Sequence, residues 1–201
     1  IFDKNEKLAL FSVLILEAIY FHNFTTPEFN VYVTQMPFKA LTVLYAWMCL
    51  NDKNIKLINW VLLGLFCALG FLSHYLFLYL IIAIKLLFLK KIFQHRKFSY
   101  YYTLPILIFL IILTPHIIWL IENQFITFNY GFKRTAFVDK NFFDHIRYPI
   151  ELIIKQILIL LPFFILILSA LKKIKINNFY QDKKFNFLLI VNLIPIILII
   201  L

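Results

Sequence analysis

"YTLPILIFLIILTPHIIWLI", residues 102–121, is twenty residues long and carries no Lys, Arg, Asp or Glu. A helix rises about 1.5 Å per residue, so about 20 apolar residues match the roughly 30 Å hydrocarbon core of a bilayer. The run is continuous, without the period-two alternation of a membrane barrel strand, so the expected element is a helix. It does not end as lipid alone would have it. His116 and Trp119 close the run, and "ENQF" (122–125) follows, ahead of Phe128 and Tyr130. Such a cluster either anchors a helix at the water boundary or belongs to a site.

The rest of the chain repeats the pattern. Of 201 residues, 63% are hydrophobic and 15% charged, with a mean hydropathy of +0.86. Soluble domains hold about 45–50% apolar residues. Apolar runs cover residues 8–21, 32–50, 57–73, 75–89, 102–121, 150–170 and 185–201. The expected fold is all-α: a polytopic transmembrane helical bundle of seven spans, one transmembrane domain over residues 1–201, with a long loop at 122–149. The first and fourth runs are short for a full crossing. With three Gly in the chain, close small-residue helix interfaces should be few. The chain opens at Ile1 and stops at Leu201 inside an apolar run, so it reads as a fragment.

Charge gives direction. The net charge is +10, and Lys far outnumbers Arg. A nucleic-acid binder would gather its cations on one polar face, with Arg prominent. Here they lie between apolar runs, which excludes nucleic acid and fits the positive-inside rule. Lys4, Lys7, Lys53, Lys56, Lys90, Lys91, Arg96, Lys97, Lys172, Lys173, Lys175, Lys183 and Lys184 all fall on one side of a single alternating threading. That side is the expected cytoplasm. Lys85 and Lys155 lie close enough to run ends to snorkel. Lys155 also follows Glu151 at a favourable helical spacing. Lys39 and Glu17 lie deeper and are candidates for a polar cavity. Cys49 and Cys67 both sit in apolar runs and read as core thiols.

Polar residues gather on the opposite face, at 22–37, at "LSHY" (72–75) and from 114 to 149. Residues 142–148 alternate rings and charges, which suits a short helix on the membrane surface. Lys133 and Arg134 face outward against the charge trend, where they suit a lipid-linked phosphate. His22, His74, His116 and His145 share this face without metal-ligand spacing, so no metal site is assigned.

Three stretches carry a family resemblance. "PHIIWLIENQFITFNY" (115–130) resembles the P-H/N-x-x-W-L-x-x-N-x-F-x-x-F-x-Y stretch of bacterial membrane glycosyltransferases, the family-39, PMT-like enzymes of the GT-C superfamily. "LLGLFCALGFLSHYLFLYLI" (62–81) is similar to their G-x-x-x-x-L-x-x-L-[ST]-K-Y run, and "FNVYVTQMPFKALTVLYAW" (29–47) to their F-N-x-N-x-x-x-L-P-x-W-x-x-T segment. The resemblance implies a GT-C-like bundle in a bacterial inner membrane of the cell envelope. It would transfer a hexosyl or pentosyl group, at the periplasmic face, from a polyprenyl-phosphate donor to a lipid, polysaccharide or protein acceptor.

It further implies a carboxylate base in an outer loop near the chain start. No such motif is present, so the base is expected outside this fragment and the catalytic residue is unknown. The family Lys of [ST]-K-Y is His74 here, which carries charge only when protonated. Lys39, where relatives often have an aromatic residue, could supply the missing cation. The resemblance makes His116, Asn123, Lys133 and Arg134 candidates for donor contacts, with His74 a hydrogen-bond donor to its phosphate, Tyr75 and Trp119 further substrate-binding candidates, and Asn30 and Gln35 candidates for the acceptor or for loop support. No cofactor is required by these residues, although a divalent metal ion would suit the departing phosphate. Membrane lipids are further expected partners. A secondary transporter is the main alternative, but paired repeats and midplane polar residues are missing. A noncatalytic protein that flips or assembles lipid-linked glycans would share the same sequence features.

Overall fold

The computed structural model describes residues 6–16, 19, 28–51, 56–96, 99–135, 143–165 and 182–200. Glu17, His22, most of the 22–31 loop, and residues 136–142 and 166–181 were all part of the sequence reading and lie outside that set. Among the described residues the regular structure is helical, as expected: α1 (Glu6–Leu16), α2 (Val31–Asn51), α3 (Leu57–Ser73), α4 (Leu78–His95), α5 (Leu104–Glu122), α6 (Ile126–Thr135), α7 (Asp144–Ile159) and α8 (Lys183–Ile200). Single 3-10 turns lead into α4 (Tyr75–Phe77) and α5 (Tyr100–Thr103). The chain forms two compact units. One comprises residues 31–137 and 185–201, the other residues 1–30 and 138–184.

The larger unit is built around α3. This helix packs along α2 on one side and α5 on the other. Its buried positions include Trp60, Leu63, Gly64, Cys67 and Ala68, which recur at helical spacing. Facing them, α2 buries Gln35, Thr42, Ala46 and Cys49. The two thiols are free and buried, as the sequence suggested. From α8, Phe187 lies edge-on to Trp47, with ring centroids 5.1 Å apart, and Val191 is also buried. The Lys91 ammonium donates to the Leu50 carbonyl, satisfying a group that the end of α2 would leave unpaired.

Glycine matters more than its scarcity suggested. A methyl group on Gly64 would meet the Pro105 carbonyl oxygen at 2.7 Å, so α3 and α5 approach closely there. A methyl on Gly70 would collide with the Phe77 ring. Two of the three glycines therefore set how α3 packs.

In the smaller unit α7 carries an ion-pair ladder. Glu151 accepts from the Arg147 Nε at 2.9 Å and from the Lys155 Nζ at 3.4 Å. The expected spacing between Glu151 and Lys155 is thus realised.

Three expectations are refined or left open. Within the expected 122–149 loop, α6 occupies Ile126–Thr135. The surface helix expected at 142–148 is not separate, since α7 starts at Asp144 and runs on into the sixth apolar run. The seven-span count is not established. Among the described residues one helix is long and apolar enough to cross a membrane, Tyr100–Glu122, with 23 residues and a mean hydropathy of 2.5. Leu57–Ser73 is apolar but shorter. Helix α2 is long, but Gln35, Lys39 and Asn51 lower its hydropathy, as Lys85, Lys90 and Lys91 lower that of α4.

Candidate functional site

The end of α3, the turn after it, the end of α5 and the start of α6 meet in the larger unit. His74 ends α3 in an extended conformation, and its backbone N–H reaches the Gly70 carbonyl at 3.3 Å. Its ring then serves the next element: Nδ1 accepts from the Leu76 N–H at 3.2 Å, a side-chain cap on the 3-10 turn. The His74 carbonyl accepts from the Phe77 N–H at 3.0 Å and from the Gln35 side-chain amide at 3.3 Å. Gln35 is 2% exposed, so this bond satisfies a buried amide and ties α2 to the turn.

Because Nδ1 accepts, the neutral ring carries its proton on Nε2. Burial, and then the nearby charge of Lys39, push the His74 imidazole below the ordinary histidine value. The sequence comparison with the Lys of [ST]-K-Y therefore ends in a neutral donor here, with Lys39 close enough to act on it. The Tyr32 ring lies beside His74, centroids 5.1 Å apart.

Tyr75 is the hub. Its hydroxyl is 2.9 Å from the His116 Nε2 and 3.1 Å from the Thr127 Oγ1. Its ring stacks on Phe128, with centroids 5.2 Å apart and planes 11° apart. His116 in turn stacks on Trp119, with 5.9 Å between centroids and 14° between planes. One hydroxyl and a near-parallel ring pair thus tie the turn after α3 to the neighbouring ends of α5 and α6, and His116–Trp119 adds a second stacked pair within α5. Trp119 and Phe128 remain 42% and 39% exposed, so each offers an open ring surface.

The chain turns sharply between α5 and α6 to allow this. Gln124 (φ 50°) and Phe125 (φ 54°) are both left-handed, a conformation that non-glycine residues rarely adopt. The Phe125 N–H reaches back to the Leu120 carbonyl at 2.8 Å, and the Asn129 amide donates to the Gln124 carbonyl at 3.0 Å. Such strain persists where the surroundings over-determine it, often at binding sites. Pro115, inside α5, leaves the Ile111 carbonyl without its helical donor one residue before His116.

Of the residues singled out from sequence, Gln35, His74, Tyr75, His116 and Trp119 come together. Asn123 does not join them: its amide donates to its own helix at the Trp119 carbonyl, 2.8 Å away. Lys133 lies exposed on α6. Arg134 is also on α6, and its side chain is outside the described set. Asn30 belongs to the other unit. Thr127 escaped the sequence reading because a lone Thr in a ring-rich stretch has no spacing signal. Phe128 and Tyr32 were legible only as interfacial aromatics.

No carboxylate is among the hydrogen-bonded or stacked partners of this cluster in the described residues. Nor do three or more His, Cys, Asp or Glu side chains converge there to hold a metal ion. The arrangement presents hydrogen-bonding groups beside flat apolar faces, which suits binding.

Residues 1–119 match the family described as dolichyl-phosphate-mannose-protein mannosyltransferase, a stretch that covers more than half of the chain and takes in Gln35, His74, Tyr75 and His116. No curated protein and no solved structure matches the chain.

Proposed function

The chain belongs to the dolichyl-phosphate-mannose-protein mannosyltransferase family, and from that premise we propose that it takes a sugar from a polyprenyl-phosphate donor and holds it against the Tyr75–His116 cluster. The supporting observation is the Tyr75 hydroxyl bridging His116 and Thr127 between two stacked ring pairs. The exposed Trp119 and Phe128 surfaces fit the apolar face of a sugar or the first isoprene units. His74 Nε2–H and the Lys39 ammonium fit the phosphate: one directs a hydrogen bond, the other offsets charge that grows as the polyprenyl phosphate departs. Lys39 thereby takes the part that Lys has in the family's [ST]-K-Y run.

Transfer to a lipid, polysaccharide or protein hydroxyl also needs a base, which contributes about 10²–10⁴-fold. We place it outside this cluster. The proposed setting is a bacterial inner membrane with the cluster at its outer face.

The test is sugar transfer by full-length protein in proteoliposomes from polyprenyl-phosphate-linked sugars. Tyr75→Phe keeps the ring stack and removes both hydroxyl contacts. At about 1 kcal/mol for each lost bond, it should lower kcat/KM by roughly ten- to thirtyfold. His116→Ala should lose at least as much. Unchanged rates in both variants would remove the cluster from the reaction, and no transfer by the native protein from any such donor would overturn the donor assignment.

A further inference from the structure

A second feature of the larger unit lies between α4 and α5. Helix α3 packs closely against α2 and α5, but α4 and α5 make no comparable backbone approach. A cleft of about 410 Å³ opens between them. Its floor is Trp60, Leu63 and Cys67 of α3, each under 10% exposed. Its walls are α4 from Ile81 to Ile92 and α5 from Pro105 to Leu110. Three lining rings pack on one another, Trp60 on Phe88 at 5.5 Å, Trp60 on Tyr102 at 5.3 Å and Phe88 on Tyr102 at 5.6 Å. The cleft stays open along its side, where Ile106 and Leu110 are 58% and 49% exposed.

One charge lines this apolar space, Lys85. It lies on the same α4 face as Ile81, Ile84, Phe88 and Ile92, one turn inside the end of the apolar run. The described ion pairs both belong to α7, so Lys85 has no carboxylate partner among the described residues. A Lys in this position extends its ammonium toward the headgroup layer while its stem lies along apolar surface. The volume is that of an ordinary ligand pocket. Its only lining charge is the exposed, positive Lys85.

We propose that the cleft holds one acyl chain of an anionic phospholipid, with the lipid phosphate at Lys85. Charge complementarity selects this occupant over a zwitterionic lipid, because a single unpaired cation rewards a net negative headgroup. The site is separate from the Tyr75–His116 cluster and stands or falls without the glycosyl-transfer proposal.

Full-length protein in detergent would be titrated with phosphatidylglycerol and phosphatidylcholine of equal chain length, and bound lipid counted by native mass spectrometry. The expected result is retention of phosphatidylglycerol about fivefold above phosphatidylcholine. Lys85→Ala should erase that preference and Lys85→Arg should keep it. Ile106→Trp, which fills the cleft without touching the charge, should reduce both lipids. Equal retention of the two lipids by the native protein would overturn the proposal. So would a preference unchanged in Lys85→Ala, or retention unchanged in Ile106→Trp, since another surface would then account for the bound lipid.

Discussion

His74 concentrates three duties in one side chain: it ends α3, caps the following turn through Nδ1, and presents a neutral ring beside Lys39. Its pKa sets a direction for stability. Burial and Lys39 hold the folded value below the ordinary 6.5. As pH falls through 6.5, the unfolded chain takes up a proton before the folded one does. The stabilisation is therefore complete above that pH and lost progressively below it. Thermal unfolding of the purified protein should show a falling midpoint from about pH 6.5 downward. His74→Asn keeps an oxygen to accept the Leu76 N–H and removes the titration, so its midpoint should depend less on pH in that range. An unchanged slope would assign the acid sensitivity to another group.

Helix α3 carries the element-scale consequence of Gly64 and Gly70. Adding a methyl at either position overpacks a filled space, at a typical cost of about 1–3 kcal/mol. The two sites should respond differently to repair. At Gly70 the obstacle is the Phe77 ring, a side chain that can be made smaller. At Gly64 it is the backbone oxygen of Pro105, which no side-chain change removes. Phe77→Leu should thus recover part of the loss in Gly70→Ala, and no substitution at 105 should do so for Gly64→Ala. Denaturation of these variants beside the native protein checks this, and a Gly64→Ala variant as stable as the native protein would show that α5 is free to shift. The 57–73 helix was legible to the residue, and α2 and α5 to within two residues at each end, whereas α7 starts at Asp144, ahead of its apolar run. The close approach was not, because a glycine in a run looks the same whether it faces lipid or a neighbouring backbone.

At the scale of the whole molecule the expectation to test is sidedness: from sequence, the lysine-rich connectors are expected on one side of the membrane and the rings and amides of the candidate site on the other. Cysteines placed at positions 30, 123 and 178 and labelled from outside intact cells test it. Positions 30 and 123 should react with a membrane-impermeant maleimide, and 178 should not. The reverse pattern would put the Tyr75 cluster in the cytoplasm and end its reading as an outward-facing donor site.

The sequence by itself determined the helical class, the lysine asymmetry and the family. Each depends on which residue types follow one another along the chain, and hydrophobicity and local motifs are written there. It also named five residues that do meet: Gln35, His74, Tyr75, His116 and Trp119. Tertiary structure alone decided that Tyr75 joins His116 to Thr127 and that a cleft opens beside Trp60 and Lys85. The Tyr75 contacts bridge 41 and 52 residues of chain, and Gly64 meets Pro105 from another helix. Such distances between remote segments are set by packing, and no local pattern encodes them; the left-handed turn at Gln124 and Phe125 is local, but no glycine announces it.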